Sequence, residues 1–191
     1  MKIKDVIERY ISGDWGNESP NESESFPVHC VRGADIEPIK KFEYENIPER
    51  FVCKKSIDTK RLQYGDIVIE KSGGSPTQST GRVCFISKEL LENYKDIVCT
   101  NFCVAIRVKD DWDAKYVYLY LQHIYNNGIF FNFEGKTSGL KNLQLEQAFN
   151  SIDIEKIPLE QQKKISSFFG PIEQKLALNR LINRDLSATA A

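Results

Sequence analysis

Two polar segments of the sequence carry side chains suited to contacting nucleic acid. Both are predicted as loops, at residues 71–81 and 134–142, and both mix glycines with hydroxyl, amide and basic side chains. Glycine lets the backbone approach a partner closely, and these side chains donate hydrogen bonds to phosphates and base edges. Gln78 suits an adenine edge, and Lys71 or Arg82 suits guanine or phosphate. The alternative is a pair of ordinary surface hairpin loops. The candidate DNA-binding set is Lys71, Ser72, Gly73, Gly74, Ser75, Thr77, Gln78, Arg82, Lys136, Thr137, Ser138, Lys141 and Asn142.

Patterns that would indicate catalysis are weak. Residues 71–75 superficially suggest a phosphate-binding loop, but Pro76 and a strand-like run follow where that loop would lead into a helix. Only two histidines, His29 and His123, could serve as a base for a Ser or Cys nucleophile. There is no C-x-x-C spacing for zinc and no paired carboxylates in a glycine-rich setting. We therefore expect neither a catalytic site nor a bound metal.

Composition and charge set broad limits. The 191 residues are 41% hydrophobic and 28% charged, which is typical of a folded domain. The net charge of −1 argues against binding nucleic acid through bulk charge, although residues 54–82 are mildly basic and residues 14–24 acidic. Five cysteines without a regular framework indicate reduced thiols and a cytoplasmic location. No apolar run is long enough for a membrane span.

Periodicity predicts a mixed α+β fold, with a small twisted mixed sheet and flanking helices. Apolar residues at 3, 6, 7, 10 and 11 predict a helix over residues 2–11, ended by Gly13. Asp113 is placed to cap a helix over 114–125 that Asn127 and Gly128 close. Strands are predicted at residues 27–31, 67–70, 82–87, 97–99 and 102–108.

A long helix is predicted from Leu159 to about Leu186. Its apolar residues recur at the alternating three-and-four spacing of a coiled-coil heptad, and Asn179 lies where a polar residue would set register. Pro171 predicts a kink or a restart. The alternative is a single helix folded back on its own domain. The residues expected to contact a partner helix, here called the partner seam, are Ile165, Phe168, Ile172, Leu176, Asn179, Ile182 and Leu186.

Several motifs together resemble the specificity subunits of type I restriction–modification systems. Leu62-x-x-Gly65-Asp66 with the apolar run after it is similar to the core of their target-recognition domain, and Asp14-Trp15-Gly16 also recurs there. The segment 156–165 resembles the "I-P-hydrophobic-x-x-Q-x-x-I" boundary, and 172–183 resembles the conserved helix "I-D-x-K-I-x-L-N-x-x-I-N". On this basis we expect a target-recognition domain at 1–156 and a spacer and dimerisation helix at 157–191.

The resemblance implies a non-catalytic subunit. It would read one half-site of a bipartite double-stranded DNA target, mainly in the major groove, and its helix would dock the modification (methyltransferase) subunits. Those subunits would bind S-adenosylmethionine, so no cofactor is expected on this chain. A separate restriction motor subunit would cleave DNA.

The chain departs from the usual family plan of two recognition domains and two helices, because it has one of each. Pairing of two copies through the helix would restore the plan and read a palindromic site with a fixed spacer. A fragment of a longer subunit is the alternative. Two other functional classes stay open. One is a protein-interaction module, orphan or antirestriction-like, and the other is a hydrolase or methyltransferase.

Overall fold

Short helices and strands alternate through the chain until one long helix begins. The structure, a computed structural model, describes residues 1–73, 78–137 and 140–189. The strands are β1 (Ile7–Ser12), β2 (Phe26–Val31), β3 (Glu49–Val52), β4 (Ile67–Glu70), β5 (Ser72–Gly73), β6 (Val83–Phe85), β7 (Ile97–Cys99), β8 (Cys103–Val108), β9 (Glu134–Thr137) and β10 (Leu140–Leu143). The α-helices are α1 (Ile36–Lys40), α2 (Lys54–Lys60), α3 (Lys88–Asn93), α4 (Ala114–Asn126), α5 (Leu145–Ser151) and α6 (Leu159–Thr189), and 3₁₀ turns cover Ile3–Val6, Gly33–Asp35 and Ile129–Phe133.

The strands form three sheets. The largest has the order β1-β8-β4-β6 and is antiparallel throughout. A second has the order β3-β2-β7, in which β2 pairs antiparallel with β3 and parallel with β7. The third, β5-β10-β9, is small and antiparallel. The predicted mixed α+β class is confirmed, with the strands divided among three sheets.

The core lies on both faces of the four-stranded sheet. In its central strand β4, Ile67 and Ile69 face a cluster that includes Leu121 of α4, whereas Val68 faces a second cluster that includes Ile36 of α1. A strand covered on both faces reads as a continuous apolar run, which is why this segment is recognisable in the sequence.

The predicted helix over residues 2–11 is wrong. A 3₁₀ turn covers Ile3–Val6, and the chain then becomes β1, which pairs with β8 from Ile7↔Val108 to Ser12↔Val104. Isoleucines at positions 3, 7 and 11 are four residues apart, a spacing that fits one face of a helix and also one face of a strand. Pairing with β8, which is remote in sequence, decides between the two.

Most other predicted elements are confirmed, with shifted ends. Strands β2, β4 and β7 match the predictions, and β6 and β8 are shorter than predicted; in particular, β8 begins at Cys103, so Phe102 lies in a turn. The α4 helix ends one residue later than predicted. Its cap is the predicted one, since Asp113 Oδ1 accepts from the Tyr116 N–H at 2.8 Å, and Gly128 follows with φ 69°.

The long helix is confirmed as α6. It is one helix from Leu159 to Thr189 with Pro171 inside it, so the chain does not restart at Pro171. Proline lacks the N–H that would bond the carbonyl of Ser167. Because Ser167 is exposed, water can reach that carbonyl, and the helix continues.

Candidate nucleic-acid interface

The two polar segments, about sixty residues apart in the sequence, meet in one sheet. Strand β5 pairs with β10 through Gly73↔Lys141 and Ser72↔Asn142. The Ser72 hydroxyl donates to Asn142 Oδ1, and the Leu143 N–H donates to the Lys71 carbonyl at 2.8 Å. We call β5, β10 and β9 the small sheet. Four members of the candidate DNA-binding set therefore lie side by side.

The second polar segment was predicted as a loop, and this is wrong. It forms two strands, β9 and β10, paired from Glu134↔Leu143 to Thr137↔Leu140. Leu143 is buried in the main core and fixes the end of β10. Glycine and polar residues disfavour strands locally, but pairing with β5 and burial of Leu143 override that preference.

A buried ion pair fixes the first polar segment to the large sheet. Glu70, at the end of β4, is 3% exposed, and its oxygens accept from Arg82 Nε at 2.8 Å and Nη2 at 2.6 Å. The hydrogen bonds and charge of Glu70 raise the pKa of Arg82. Gly73 has φ +143°, and a Cβ there would lie 2.8 Å from Glu70 Oε1. Only glycine suits this position, because both its backbone and the space above it exclude a side chain.

A second buried carboxylate ties the two polar segments together. Glu134 Oε1 accepts from the Thr80 N–H at 2.6 Å and from the Thr80 hydroxyl at 3.0 Å. Lys141 Nζ lies 3.6 Å from Glu134 Oε2 and donates to the Gln78 carbonyl at 3.2 Å. Arg82 and Lys141 are thus both engaged by buried carboxylates, and they support the surface from within.

The remaining members of the candidate set divide by position. Lys71 is exposed, and Ser72, Gly73, Gln78 and Asn142 are half-buried. Lys136 and Thr137 lie in β9. The predictions at Gly74, Ser75, Thr77 and Ser138 fall outside the described residues.

A cleft of about 510 Å³ opens beside the small sheet. Its far wall comes from residues 15, 32–33 and 100–102, of which only Trp15, in the motif Asp14-Trp15-Gly16, stands out in the sequence. The indole of Trp15 is covered by Arg50, whose guanidinium carbon lies 3.8 Å from the ring centroid. The lining residues are Trp15, Arg32, Gly33, Ser72, Gly73, Thr100, Asn101 and Phe102.

Close backbone contacts hold these turns together. The Asp14 N–H donates to the Cys99 carbonyl at 2.7 Å, and a Cβ on Gly13 would lie 1.8 Å from the Thr100 carbonyl oxygen. Burial alone would raise the pKa of Asp14, but hydrogen bonds from Ser56 and Gly16 and the charge of Lys60 lower it below its ordinary value. Asp14 is therefore an ionised anchor at this edge.

The cysteines have structural positions. All five are free, and all but Cys53 are buried. Burial raises the pKa of Cys30 to about 12 and that of Cys103 to about 11. A thiol protonated at neutral pH is a poor nucleophile and metal ligand, so these two act as small apolar core residues.

The described residues provide neither a metal-binding cluster nor a membrane-spanning helix. Within residues 1–73, 78–137 and 140–189, no three His, Cys, Asp or Glu side chains are grouped so that they could hold a metal ion. Over the same described part of the chain, no helix combines the length and apolar character needed to cross a bilayer.

The start of α6 is fastened to α4 by polar contacts. Gln162, the glutamine of the boundary motif, is fully buried; its Oε1 accepts from the Asp113 N–H and its Nε2 donates to the Ile157 carbonyl, both at 2.9 Å. The Ser166 hydroxyl donates to Asp113 Oδ1, and Glu173 pairs with Lys115 of α4 at 2.7 Å. One face of α6 thus lies on its own domain.

The partner seam lies on exposed parts of α6. All seven of its residues are exposed, and Phe168 and Leu186 are more than 60% exposed. By contrast, Ala177 is buried. The contacts at Gln162, Ser166 and Glu173 therefore account for one side of the helix and leave an apolar surface without cover in the single chain.

Comparison with known proteins agrees with these features. Residues 43–188 match the family described as "Type I restriction modification DNA specificity domain". A search of curated proteins found no match.

Solved structures with the same fold come from type I systems. One comes from a study of complex assembly and conformational transition of a type I restriction–modification system. The superposition covers 99% of this chain and 41% of that chain, with 16% sequence identity and a TM-score of 0.59. For the type I S subunit from M. genitalium, the superposition covers 97% of this chain and 42% of that chain, with 14% sequence identity and a TM-score of 0.57. For the HsdS subunit from Thermoanaerobacter tengcongensis, the superposition covers 93% of this chain and 38% of that chain, with 18% sequence identity and a TM-score of 0.50. The chain spans about two fifths of each of these chains. Because the family match covers most of its length, the chain belongs to the type I restriction–modification DNA specificity domain family.

Proposed function

We propose that this chain is a DNA-reading specificity subunit that catalyses no reaction itself and reads one half-site of a bipartite target. One observation carries the proposal: β5 and β10 bring two donor-rich segments, remote in sequence, onto one surface. Buried carboxylates hold that surface in place, and the exposed Lys71 lies next to it in the chain. Membership of a DNA specificity domain family supports DNA as the ligand.

Within this surface the residues have different roles. Lys71 is exposed and suits a phosphate, whereas the amide of Gln78 suits a base edge. Arg82 and Lys141 neutralise Glu70 and Glu134, and they act on DNA by positioning the small sheet. Gly74, Ser75, Thr77, Lys136, Thr137 and Ser138 complete the proposed contact surface.

We propose that α6 pairs with α6 of a second copy through the partner seam and that modification subunits dock on the paired helices. A helix of 31 residues is roughly 46 Å long, enough for several heptads. An exposed apolar seam at heptad spacing is what a second helix would cover, and Asn179 would set the register at some cost in stability. Two identical modules would read a symmetrical site.

The test is co-expression with a modification subunit, co-purification, and mapping of methylated bases in the host DNA. The expected result is adenine methylation within a discontinuous motif whose halves are inverted repeats. An asymmetric motif would contradict pairing of identical copies. Failure to co-purify together with no methylation would contradict the proposed function.

Variants test each surface separately. Lys71→Ala should weaken binding to all duplexes and reduce the salt dependence of binding. Gln78→Ala should relax the sequence preference at one base pair. Lys4→Ala, at another exposed lysine, should change neither the affinity nor the sequence preference. Ile172→Asp should give monomers by light scattering, whereas Phe131→Asp, at an exposed apolar residue outside α6, should not.

The salt dependence of duplex binding distinguishes the proposed function from its alternative, a protein-interaction module. Binding to a duplex that falls steeply with salt supports DNA reading. No binding to any duplex, with partner capture intact, would favour the interaction module.

A further inference from the structure

The turn between β7 and β8 carries two exposed side chains of different chemistry. It covers Thr100, Asn101 and Phe102, and the Cys103 N–H closes it by donating to the Thr100 carbonyl at 2.9 Å. Asn101 is exposed, and Phe102 is 56% exposed although both neighbouring strands are buried in the core. The ring of Phe102 is therefore accessible to a partner.

Backbone contacts hold this turn against the small sheet. The Phe102 carbonyl accepts from two consecutive N–H groups, those of Lys71 at 2.8 Å and Ser72 at 3.0 Å. On its other side the Thr100 carbonyl is so close to Gly13 that no side chain fits between them. The turn is therefore fixed beside β5, the strand that the proposed function places at the DNA.

The cleft that the turn borders is mostly apolar and carries one basic side chain among its described lining residues. Of the charged residues, only Arg32 is among the described residues that line it, and no acidic side chain lines it. The Arg32 guanidinium pairs with Asp35 at 2.8 Å and stays 38% exposed, and the exposed Lys71 lies one residue from the lining residue Ser72. An apolar cleft of this kind can accept a base edge, and Arg32 and Lys71 would then lie near the flanking phosphates.

Asparagine and phenylalanine together match an A·T pair in the major groove. An asparagine amide can donate to N7 and accept from N6 of adenine, and an aromatic side chain can pack against the thymine C5-methyl group. We infer that Asn101 and Phe102 form a specificity-determining pair that reads adenine and a thymine methyl in the half-site. This inference rests on the proposed function and adds residues that the sequence did not indicate.

The test begins by selecting duplexes with the wild-type full chain from a randomised duplex library. In the selected site, each thymidine is replaced singly by deoxyuridine, which removes the methyl group, and each adenosine by 7-deazaadenosine, which removes the N7 acceptor. Dissociation constants are measured for the wild type and for Phe102→Ala and Asn101→Ala. Both residues are exposed, so melting temperatures should match the wild type.

The expected result is one thymidine whose replacement weakens wild-type binding by roughly three- to fivefold, the effect of one buried methyl group. Phe102→Ala should bind both duplexes equally, and Phe102→Leu should recover part of the difference. One 7-deazaadenosine should weaken the wild type by roughly fivefold or more and leave Asn101→Ala unaffected. Tyr10→Ala, at an exposed aromatic that does not line the cleft, should discriminate like the wild type.

Either of two results would overturn the inference while leaving the proposed function intact. The first is a selected site in which no such replacement affects the wild type. The second is a Phe102→Ala, Asn101→Ala double variant that still discriminates fully. If the library yields no preferred sequence at all, the proposed function fails, and this inference fails with it.

Discussion

Replacing Arg82 by alanine should destabilise the folded chain severely. Glu70 is 3% exposed and receives two charge-assisted hydrogen bonds from Arg82, at 2.6 and 2.8 Å. The variant would leave the carboxylate buried without its partner, which costs about 3–5 kcal/mol in comparable ion pairs. For a chain of this size that corresponds to a fall in melting temperature of roughly 6–20 °C.

Urea denaturation followed by circular dichroism measures the effect directly. The matched control is Glu70→Met, Arg82→Met, which removes both charges and fills similar volume with apolar atoms. Such replacements are often close to neutral, so the double variant should recover most of the stability lost in Arg82→Ala. The free energy of unfolding of Arg82→Lys should lie between those of Arg82→Ala and the double variant, because lysine keeps the charge and loses the bidentate geometry.

The same variants decide whether Arg82 also contacts DNA. If Arg82 acts only by positioning the small sheet, the stable double variant should bind duplex DNA nearly as well as the wild type. A folded double variant with strongly weakened binding would show a direct DNA contact. An Arg82→Ala chain as stable as the wild type would refute the reasoning about the buried pair.

Three further variants probe the supports of the site, each by urea denaturation. Gly13→Ala should cost about 1–3 kcal/mol and weaken DNA binding, because its Cβ would displace the Thr100 turn; unchanged values would contradict this. Gln162→Ala should cost roughly 1–3 kcal/mol, since it removes the partner of two half-buried backbone groups; Gln161→Ala, at an exposed position, is the control. Asp14→Asn should destabilise at pH 7, and the difference should vanish as the pH falls below about 4, because the pKa of Asp14 is lowered by folding. A pH-independent difference would contradict that assignment.

The elements predictable from sequence are those whose local pattern and tertiary role agree. The apolar run Ile67–Glu70 becomes a strand covered on both faces, and Asp113 caps the helix that its position predicts. The seam spacing in α6 remains visible as an exposed stripe. In each case one type of secondary structure alone satisfies the spacing of the residues.

What could not be predicted depends on contacts between remote segments. The spacing of Ile3, Ile7 and Ile11 fits a helix or a strand, and pairing with β8 makes residues 7–12 a strand. The strands β9 and β10 form because β10 pairs with β5, which local propensity does not reveal. The ion pair of Arg82 with Glu70 joins two residues whose pairing no sequence pattern indicates. The turn at residues 100–102 could not be predicted because Phe102 fits the pattern of a strand's first residue.

If the proposed function holds, the contacts of Gln162 have a consequence for the release of DNA. Added salt screens attraction to phosphates, so rising ionic strength should detach the duplex. It has little effect on hydrogen bonds of an uncharged amide shielded from solvent, and Gln162 is fully buried where α6 meets α4. The angle between helix and recognition lobe should therefore persist in the unbound protein. The recognition domain would then keep its orientation relative to α6 between binding events, so no rearrangement would slow association with the next target.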